Sequence, residues 1–279
     1  MRFAIIMKDG APEKWPTAVL KQGMRRLGLS EIGEEYLRPC DILITWTPWA
    51  GSRRERAMLA HQARKGRVLV GENGYFSPDG ARRWTLGING TNGRGQHLPA
   101  DGDRQRRDAL GLPLSPWSGG GDYVLVLGQR GVKTNTPAIS HGPEWPDQIV
   151  GDIARLAPDV PIRFRPHPGR CEAFPRTQEA RERVRVTDPR EPLADALAGA
   201  RLAVGYCTTA LVEAAWRGVP CVYTARQAIV APVADSDLTH ALAYVPRRPD
   251  RESWADRIAS WQWTDDELAS GEPMRALIA

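Results

Sequence analysis

The stretch from Arg163 to Tyr223 constrains the fold of this chain more than any other part of the sequence. It begins with Arg-Phe-Arg-Pro-His-Pro-Gly-Arg and ends with the segment that runs from Gly205 to Tyr223. In each part, an apolar run typical of a strand is followed by polar residues and then by a helix start. Open α/β sheets bind phosphate-bearing ligands at the carboxyl ends of their strands and at helix N-termini. This stretch therefore predicts a doubly wound sheet with a site for an anionic ligand.

Strand and helix patterns alternate along the first half of the chain. Apolar strands are predicted at 2–7, 41–45 and 67–71, with helices near 17–27 and 52–65. Elements in this order form parallel sheets with right-handed crossovers. The first half is therefore predicted to be a small α/β domain with a parallel sheet.

A segment with the composition of a linker, from Pro113 to Gly121, divides the chain. A new strand pattern begins at Tyr123, and strands and helices alternate again after it. We therefore expect two α/β domains, followed by C-terminal helices that pack back on the first of them. The three predicted segments are 1–118, 119–250 and 251–279.

Composition excludes several classes of protein. The chain has 279 residues, 42% of them hydrophobic, and no apolar run approaches the roughly 20 residues that a membrane helix needs. The N-terminus lacks the layout of a signal peptide, so the expected location is the cytoplasm. Four widely separated cysteines without a C-x-x-C pair indicate neither a disulfide framework nor a zinc site.

Thr208, Thr209 and Glu213 lie at the predicted start of a helix over 209–217. The first backbone N–H groups of a helix lack partners, so these amides and the two hydroxyls could hold a diphosphate. Glu213 follows Thr209 by one helical turn and could accept hydrogen bonds from ribose hydroxyls. The alternative interpretation is a capped helix with a solvated glutamate.

The Arg165-Pro-His167-Pro run stiffens the backbone at a predicted strand end, because proline fixes its own φ angle. The guanidinium of Arg165 suits phosphate oxygens, and His167 could donate to a phosphate or to a leaving group. Arg130 and Lys133 add positive charge at a neighbouring strand end.

Four short motifs occur in a characteristic order: Glu72-Asn-Gly-Tyr75, Gly128-Gln129, Arg165-Pro-His-Pro168, and Thr208-Thr-Ala-Leu-Val-Glu-Ala214 with Gly-Val-Pro220. In this order and spacing, the chain resembles the capsule-polysaccharide glycosyltransferase superfamily. That superfamily includes the Kdo transferases and small bacteriophage-borne glycosyltransferases. The resemblance covers most of the chain, from about Val68 to Tyr223.

The resemblance implies a GT-B fold, with two Rossmann-like domains facing across a cleft and the nucleotide-sugar donor held mainly by the second. It also implies inverting, metal-independent transfer. We expect no cofactor, and a UDP-sugar as the co-substrate. The donor-binding positions that follow from the motifs and from the strand ends are Gly128, Gln129, Arg130, Lys133, Arg165, His167, Thr208, Thr209 and Glu213.

The sequence departs from the family at one important position. The family's acidic turn usually reads Glu-Asp-Gly-Phe, with the Asp as general base, whereas this chain has Asn73. An amide cannot accept the acceptor's proton at neutral pH. Glu72 is therefore the first candidate for the base and Asp79 the second, with His167 as a further catalytic candidate.

For the acceptor, the sequence favours a hydroxymethylated pyrimidine in double-stranded DNA, and a phage-encoded enzyme would then act in the host cytoplasm. The net charge of +5, the arginines of 52–67 and 101–107 and several loop tryptophans support this interpretation. Alternatives are a surface glycan acceptor, a sugar-nucleotide epimerase, and a catalytically silent protein that binds nucleotides or DNA. The predicted acceptor-binding residues are Trp46, Trp49, Asn73, Tyr75 and Arg94.

Overall fold

The computed structural model describes most of the chain in two compact units. One unit comprises Met1–Leu112 together with Ser253–Ala279, and the other comprises Pro113–Glu252. The division after Leu112 falls a few residues before the predicted boundary at 118, and the C-terminal helices group with the N-terminal unit. The described residues are 1–7, 16–32, 39–48, 51–78, 80–93, 95–97, 100–118, 120–129, 141–169, 174–244 and 246–278.

Strands and helices alternate along both units. The strands of the described residues are β1 Arg2–Ile6, β2 Ser30–Glu31, β3 Ile42–Trp46, β4 Arg67–Asn73, β5 Trp84–Ile88, β6 Tyr123–Leu127, β7 Ile162–Arg165, β8 Val184–Val186, β9 Ala200–Gly205 and β10 Cys221–Tyr223. The helices of the same residues are α1 Thr17–Arg26, α2 Arg53–Ala63, α3 Arg104–Ala109, α4 Trp145–Leu156, α5 Gln178–Arg183, α6 Leu193–Ala198, α7 Ala210–Trp216, α8 Leu238–Ala243, α9 Glu252–Ser260, α10 Asp265–Ser270 and α11 Glu272–Ile278. A 3₁₀ turn covers Ala231–Val233.

The sheet of the N-terminal unit has the order β2-β1-β3-β4-β5. Every residue of β3 is buried, as expected for a central strand that helices cover on both faces. The three strands that the sequence predicts pair in parallel, whereas β5, which the sequence did not predict, runs antiparallel to β4. The chain therefore turns back after β4 and does not cross over through a helix.

Helix α1 buries one face of this sheet through Leu20, Gly23 and Met24. Gly23 has no room for a side chain, because a Cβ there would lie 2.1 Å from the carbonyl oxygen of Leu268 in α10. The C-terminal helices thus pack directly against α1 and belong to the core of the N-terminal unit.

The sheet of the C-terminal unit is parallel throughout, in the order β10-β9-β6-β7-β8. The central strand β6 is buried at all five positions. From β6 the chain continues on one side to β7 and β8 and then returns on the other side to β9 and β10. The strand order therefore reverses between β6 and β9, and open α/β sheets place ligands at such a point.

Arg251 holds together the two segments through which the chain enters and leaves the C-terminal unit. Its guanidinium donates to the carbonyl oxygens of Ser115 and Ala215 and lies 4.0 Å from the ring centroid of Trp117. The indole N–H of Trp117 in turn donates to the carbonyl of Pro249 at 2.9 Å. The segment with linker composition is therefore ordered at this place.

No helix in the described part of the chain has both the length and the apolar character that crossing a membrane requires.

Candidate functional site

Gln129 and Cys207 meet where the strand order of the C-terminal unit reverses. Gln129 follows β6 and Cys207 follows β9. The side-chain oxygen of Gln129 accepts a hydrogen bond from the backbone N–H of Cys207 at 3.2 Å, and its nitrogen lies 3.5 Å from the Cys207 sulfur. This contact fixes the two loops side by side. Gln129, predicted to contact the donor, thus also positions the loop that carries Thr208 and Thr209.

Gly128 allows β6 and β7 to approach closely at the same edge. Its N–H donates to the carbonyl of Arg165 at 2.8 Å. A Cβ at Gly128 would lie 2.9 Å from that carbonyl oxygen and 3.0 Å from the ring of Phe164. The structure therefore gives this glycine a packing role at the strand ends.

His167 follows β7 and is partly exposed. Its Nδ1 accepts a hydrogen bond from the backbone N–H of Gly169 at 2.9 Å. A nitrogen that accepts a hydrogen bond carries no proton, so the neutral ring carries its proton on Nε2. The ring is thereby held as a donor through Nε2, as contact with a phosphate oxygen requires.

Arg165 has a different role from the predicted one. It is buried, and its guanidinium donates to the carbonyl oxygens of Asp188, Pro189 and Glu191. These bonds tie the end of β7 to the loop before α6. In this structure Arg165 therefore joins backbone segments of the C-terminal unit through three of its five N–H donors, and its contact with the donor stays a prediction.

Thr208 and Thr209 precede helix α7 and are both partly exposed. The Thr208 hydroxyl accepts a hydrogen bond from the Ala210 N–H at 3.3 Å, whereas the Thr209 side chain makes no capping hydrogen bond. Glu213 accepts a hydrogen bond from the Arg217 guanidinium at 2.8 Å, one helical turn further on. Glu213 therefore forms an ion pair along the helix, and its contact with a ribose stays a prediction.

An aromatic group beside this edge did not stand out in the sequence. His141 stacks on Trp145 with 4.5 Å between ring centroids, and Tyr206 meets both rings edge-on. The indole N–H of Trp145 donates to the Thr224 hydroxyl at 2.8 Å. Burial lowers the pKa of His141 and raises the pKa of Tyr206. The only local signal for this group is that Tyr206 and Thr224 directly follow β9 and β10.

Glu72 and Asn73 form the carboxyl end of β4 in the N-terminal unit. One carboxylate oxygen of Glu72 accepts from the backbone N–H of Asn73 at 3.0 Å and from its side-chain amide at 3.3 Å. Two donors on one oxygen suit an ionised carboxylate. Asn73 therefore orients the neighbouring acid, and an aspartate at this position would keep the backbone hydrogen bond but lose the one from the side-chain amide.

Hydroxyl and amide groups from three segments lie close to the turn that follows Glu72. The Tyr75 hydroxyl donates to the Asn92 side-chain oxygen at 3.5 Å, and burial, followed by the charge of Glu72, raises the Tyr75 pKa. The hydroxyls of Thr47 and Thr91 are 3.2 Å apart and buried. Thr91 and Asn92 are thus anchored to other segments of the N-terminal unit.

Two predicted features of DNA binding serve the fold instead. Trp46 is only 5% exposed and meets Trp84 edge-on, with 5.7 Å between ring centroids, so it cannot stack on a base. Arg106 pairs with Glu267 at 2.7 Å, and the buried Arg107 pairs with Asp256 at 3.1 Å. Trp46 therefore packs inside the N-terminal unit, which does not favour the predicted contact with an acceptor, and the charge of 101–107 is largely neutralised within the same unit.

Five predicted site residues lie outside the described residues: Trp49, Asp79, Arg94, Arg130 and Lys133. Within the described residues, no group of three or more His, Cys, Asp or Glu side chains could hold a metal ion.

Two solved structures of KpsC from Thermosulfurimonas dismutans are similar to this chain. Its β Kdo 2,4 transferase matches with a TM-score of 0.61 and 12% identity, over 92% of this chain and 89% of that one. Its β Kdo 2,7 transferase matches with a TM-score of 0.59 and 14% identity, over the whole of both chains. No protein-family model matches the chain, and no curated protein matches it significantly.

At such low identities the likeness shows the fold alone. This fold is of the GT-B class, so the predicted fold class is confirmed.

Proposed function

We propose that this chain is an inverting, metal-independent glycosyltransferase that uses a nucleotide-sugar donor. The observation that carries the proposal is the convergence of Gln129, His167 and the Thr208–Thr209 pair on the carboxyl ends of β6, β7 and β9. Ligands of open α/β sheets bind at this kind of edge. The likeness in fold to two Kdo transferases supports the same class of reaction.

The C-terminal unit would bind the donor. The two threonine hydroxyls and the Nε2–H of His167 are donors suited to the oxygens of a diphosphate. They would stabilise the negative charge that develops on the departing nucleotide. Hydrogen-bond donors would thus do what a divalent cation does in metal-dependent transferases.

The N-terminal unit would supply the base. An acceptor hydroxyl attacks the anomeric carbon, its proton passes to the Glu72 carboxylate, and the bond from that carbon to the diphosphate oxygen breaks with its electron pair. Attack opposite the leaving group inverts the anomeric centre. Asn73 holds the carboxylate for this step through the two hydrogen bonds that it donates to Glu72.

For the acceptor, we place a hydroxyl of a glycan before hydroxymethylated DNA. Trp46 and the paired arginines of 101–107 no longer support base stacking or phosphate contacts. The two structurally similar proteins transfer Kdo. Hydroxymethylated DNA remains a second acceptor for the same assay.

The test is a transfer assay with radiolabelled UDP-sugars and nucleotide-activated Kdo, each offered with a Kdo-terminated glycan or with hydroxymethylcytosine DNA. Label in the glycan supports the proposal with its preferred acceptor, and label in DNA supports the other acceptor. Sugar-nucleotide interconversion without transfer would indicate an epimerase. Nucleotide binding without any turnover would indicate a silent binding protein and overturn the proposal.

The base assignment predicts that Glu72→Gln lowers kcat by about 10²-fold or more, because the amide cannot take up the proton. Nucleotide affinity should remain unchanged, since the donor residues lie in the other unit. Thr85→Ser, opposite Glu72 in the β4–β5 pairing, is the matched control and should keep its activity. Full activity of Glu72→Gln would exclude this carboxylate as the base.

A further inference from the structure

Gln262 contacts the turn that follows Glu72, although it lies near the other end of the chain. It is 2% exposed and occupies the short segment between α9 and α10. Its side-chain oxygen accepts hydrogen bonds from the backbone N–H groups of Tyr75 and Phe76, at 2.7 and 2.8 Å. One oxygen therefore satisfies two consecutive amides of the turn.

The segment that carries Gln262 is attached to the same part of the sheet. Trp263 pairs antiparallel with Trp84 through two backbone hydrogen bonds of 2.9 Å. Trp84 also lies directly opposite Asn73 in the β4–β5 pairing. In addition, the Arg106 guanidinium donates to the Gln262 carbonyl at 2.7 Å. The backbone beside Gln262 is thus held independently of its side chain.

We propose that Gln262 is a positioning residue for the acceptor-side carboxylate. By holding the N–H groups of Tyr75 and Phe76, it fixes the backbone of the turn and thereby the direction of the preceding Glu72 side chain. The inference depends on the proposed function, because Glu72 matters as a base only if the chain transfers a sugar. The segment between α9 and α10, which carries Gln262, then takes part in positioning the catalytic carboxylate.

The chemistry of the amide allows a selective test. The oxygen of Gln262 holds both N–H groups, whereas its Nε2 is buried and has no hydrogen-bond partner among the described residues. A carboxylate in its place can still accept both hydrogen bonds but adds a negative charge close to the turn of Glu72. A leucine of similar size can accept neither of them.

The experiment compares Gln262→Leu with Gln262→Glu in the full chain. Thr264→Ala is the matched control, because it removes the capping box of α10 without touching the turn. For each variant, kcat, the KM for the acceptor, the pH profile of kcat and the dissociation constant of UDP are measured. Hydrogen exchange of the peptide that covers 73–78 reports directly on the turn.

For Gln262→Leu we expect faster exchange at 73–78 and a kcat about 10- to 100-fold lower, since small displacements of a catalytic group have effects of this size. The dissociation constant of UDP should stay within about twofold of the wild-type value in every variant. Gln262→Glu should keep slow exchange and recover most of kcat at alkaline pH. Its added charge should move the acid limb of the pH profile upwards.

Slow exchange in Gln262→Leu, or kcat equal to that of Thr264→Ala, would overturn the inference. So would a pH profile of Gln262→Glu that coincides with the wild-type profile. Failure of the proposed function gives a different result, because transfer would then be absent from the wild type or would survive in Glu72→Gln. In that case the role of Gln262 in catalysis fails as well.

Discussion

At the scale of single residues, His167 is the donor-side group whose chemistry is most closely defined. Its Nδ1 is engaged by the Gly169 N–H, so the neutral ring can donate only through Nε2. Protonation at Nδ1 would break that contact. The imidazole is therefore suited to donate to a phosphate without taking part in proton uptake from the acceptor.

Two isosteric substitutions separate the functions of the two ring nitrogens. His167→Asn keeps an acceptor near the Nδ1 position, whereas His167→Gln keeps a donor near the Nε2 position. If Nε2 contacts the diphosphate, the asparagine variant should bind UDP about tenfold more weakly, which corresponds to about 1.4 kcal/mol. The glutamine variant should bind closer to wild type. Equal UDP affinities in calorimetric titrations of the three proteins would contradict the assignment.

Asn73 and Arg165 show what sequence reasoning could predict at this scale and what it could not. The sequence located both residues at strand ends, because continuous apolar runs precede them. It could not predict that Asn73 donates to Glu72 or that Arg165 donates to carbonyls of 188, 189 and 191. Those partners depend on side-chain direction and on loop paths, neither of which leaves a periodic pattern.

At the scale of elements, the strands that the sequence could predict were those formed by a continuous run of apolar residues. β3 and β6 are continuous apolar runs, and all residues of both are buried. β5 is equally buried at four of its five positions, but its antiparallel pairing with β4 was not predicted. Two short strands joined by a turn-rich segment can pair in either direction, and only the tertiary arrangement decides between them. Gln262 likewise reaches Tyr75 across 187 residues, a separation that no local pattern encodes.

Two glycine substitutions test the close packing of β6 against β7. Gly128→Ala places a methyl group against the Arg165 carbonyl and the Phe164 ring, so it should destabilise the C-terminal unit by about 1–3 kcal/mol. Gly151→Ala is the matched control, because Gly151 is exposed within α4 and no atom lies within 4 Å of the added methyl. It should stabilise the unit by about 0.5–1 kcal/mol. Urea unfolding that shows equal stabilities for the two variants would contradict this account of the strand ends.

At the scale of the whole molecule, buried neutral histidines couple the fold to pH. His61, His97 and His141 belong to different parts of the chain, and burial lowers the pKa of each. The effect is largest for His97, whose pKa falls to about 4. His97 stacks on Trp261 with 4.7 Å between ring centroids and keeps Nδ1 within 3.0 Å of the Leu86 carbonyl. Protonation would therefore place a charge between α9 and β5, inside the N-terminal unit.

This coupling predicts that the N-terminal unit loses stability on acidification. The folded pKa of His97 lies below the ordinary value of 6.5, so between about 6.5 and 4 the unfolded chain binds a proton that the folded chain does not. Stability is thus complete above about pH 6.5 and falls as pH approaches 4, by up to about 3 kcal/mol from His97. His61 contributes with the same sign in this unit.

His97→Asn tests the coupling, because asparagine can still donate to the Leu86 carbonyl but does not titrate. The variant should be less stable at pH 8, since the ring stacked on Trp261 is lost, yet its stability should fall less steeply between pH 6.5 and 4.5. His240→Asn, at a half-exposed histidine of the C-terminal unit, is the control and should leave the slope of the N-terminal unit unchanged. Urea titrations at several pH values, followed by hydrogen exchange in the peptides of β4 and β5, measure how the free energy of unfolding of the N-terminal unit depends on pH in each protein. A slope in His97→Asn as steep as in the wild type would show that other groups cause the acid sensitivity.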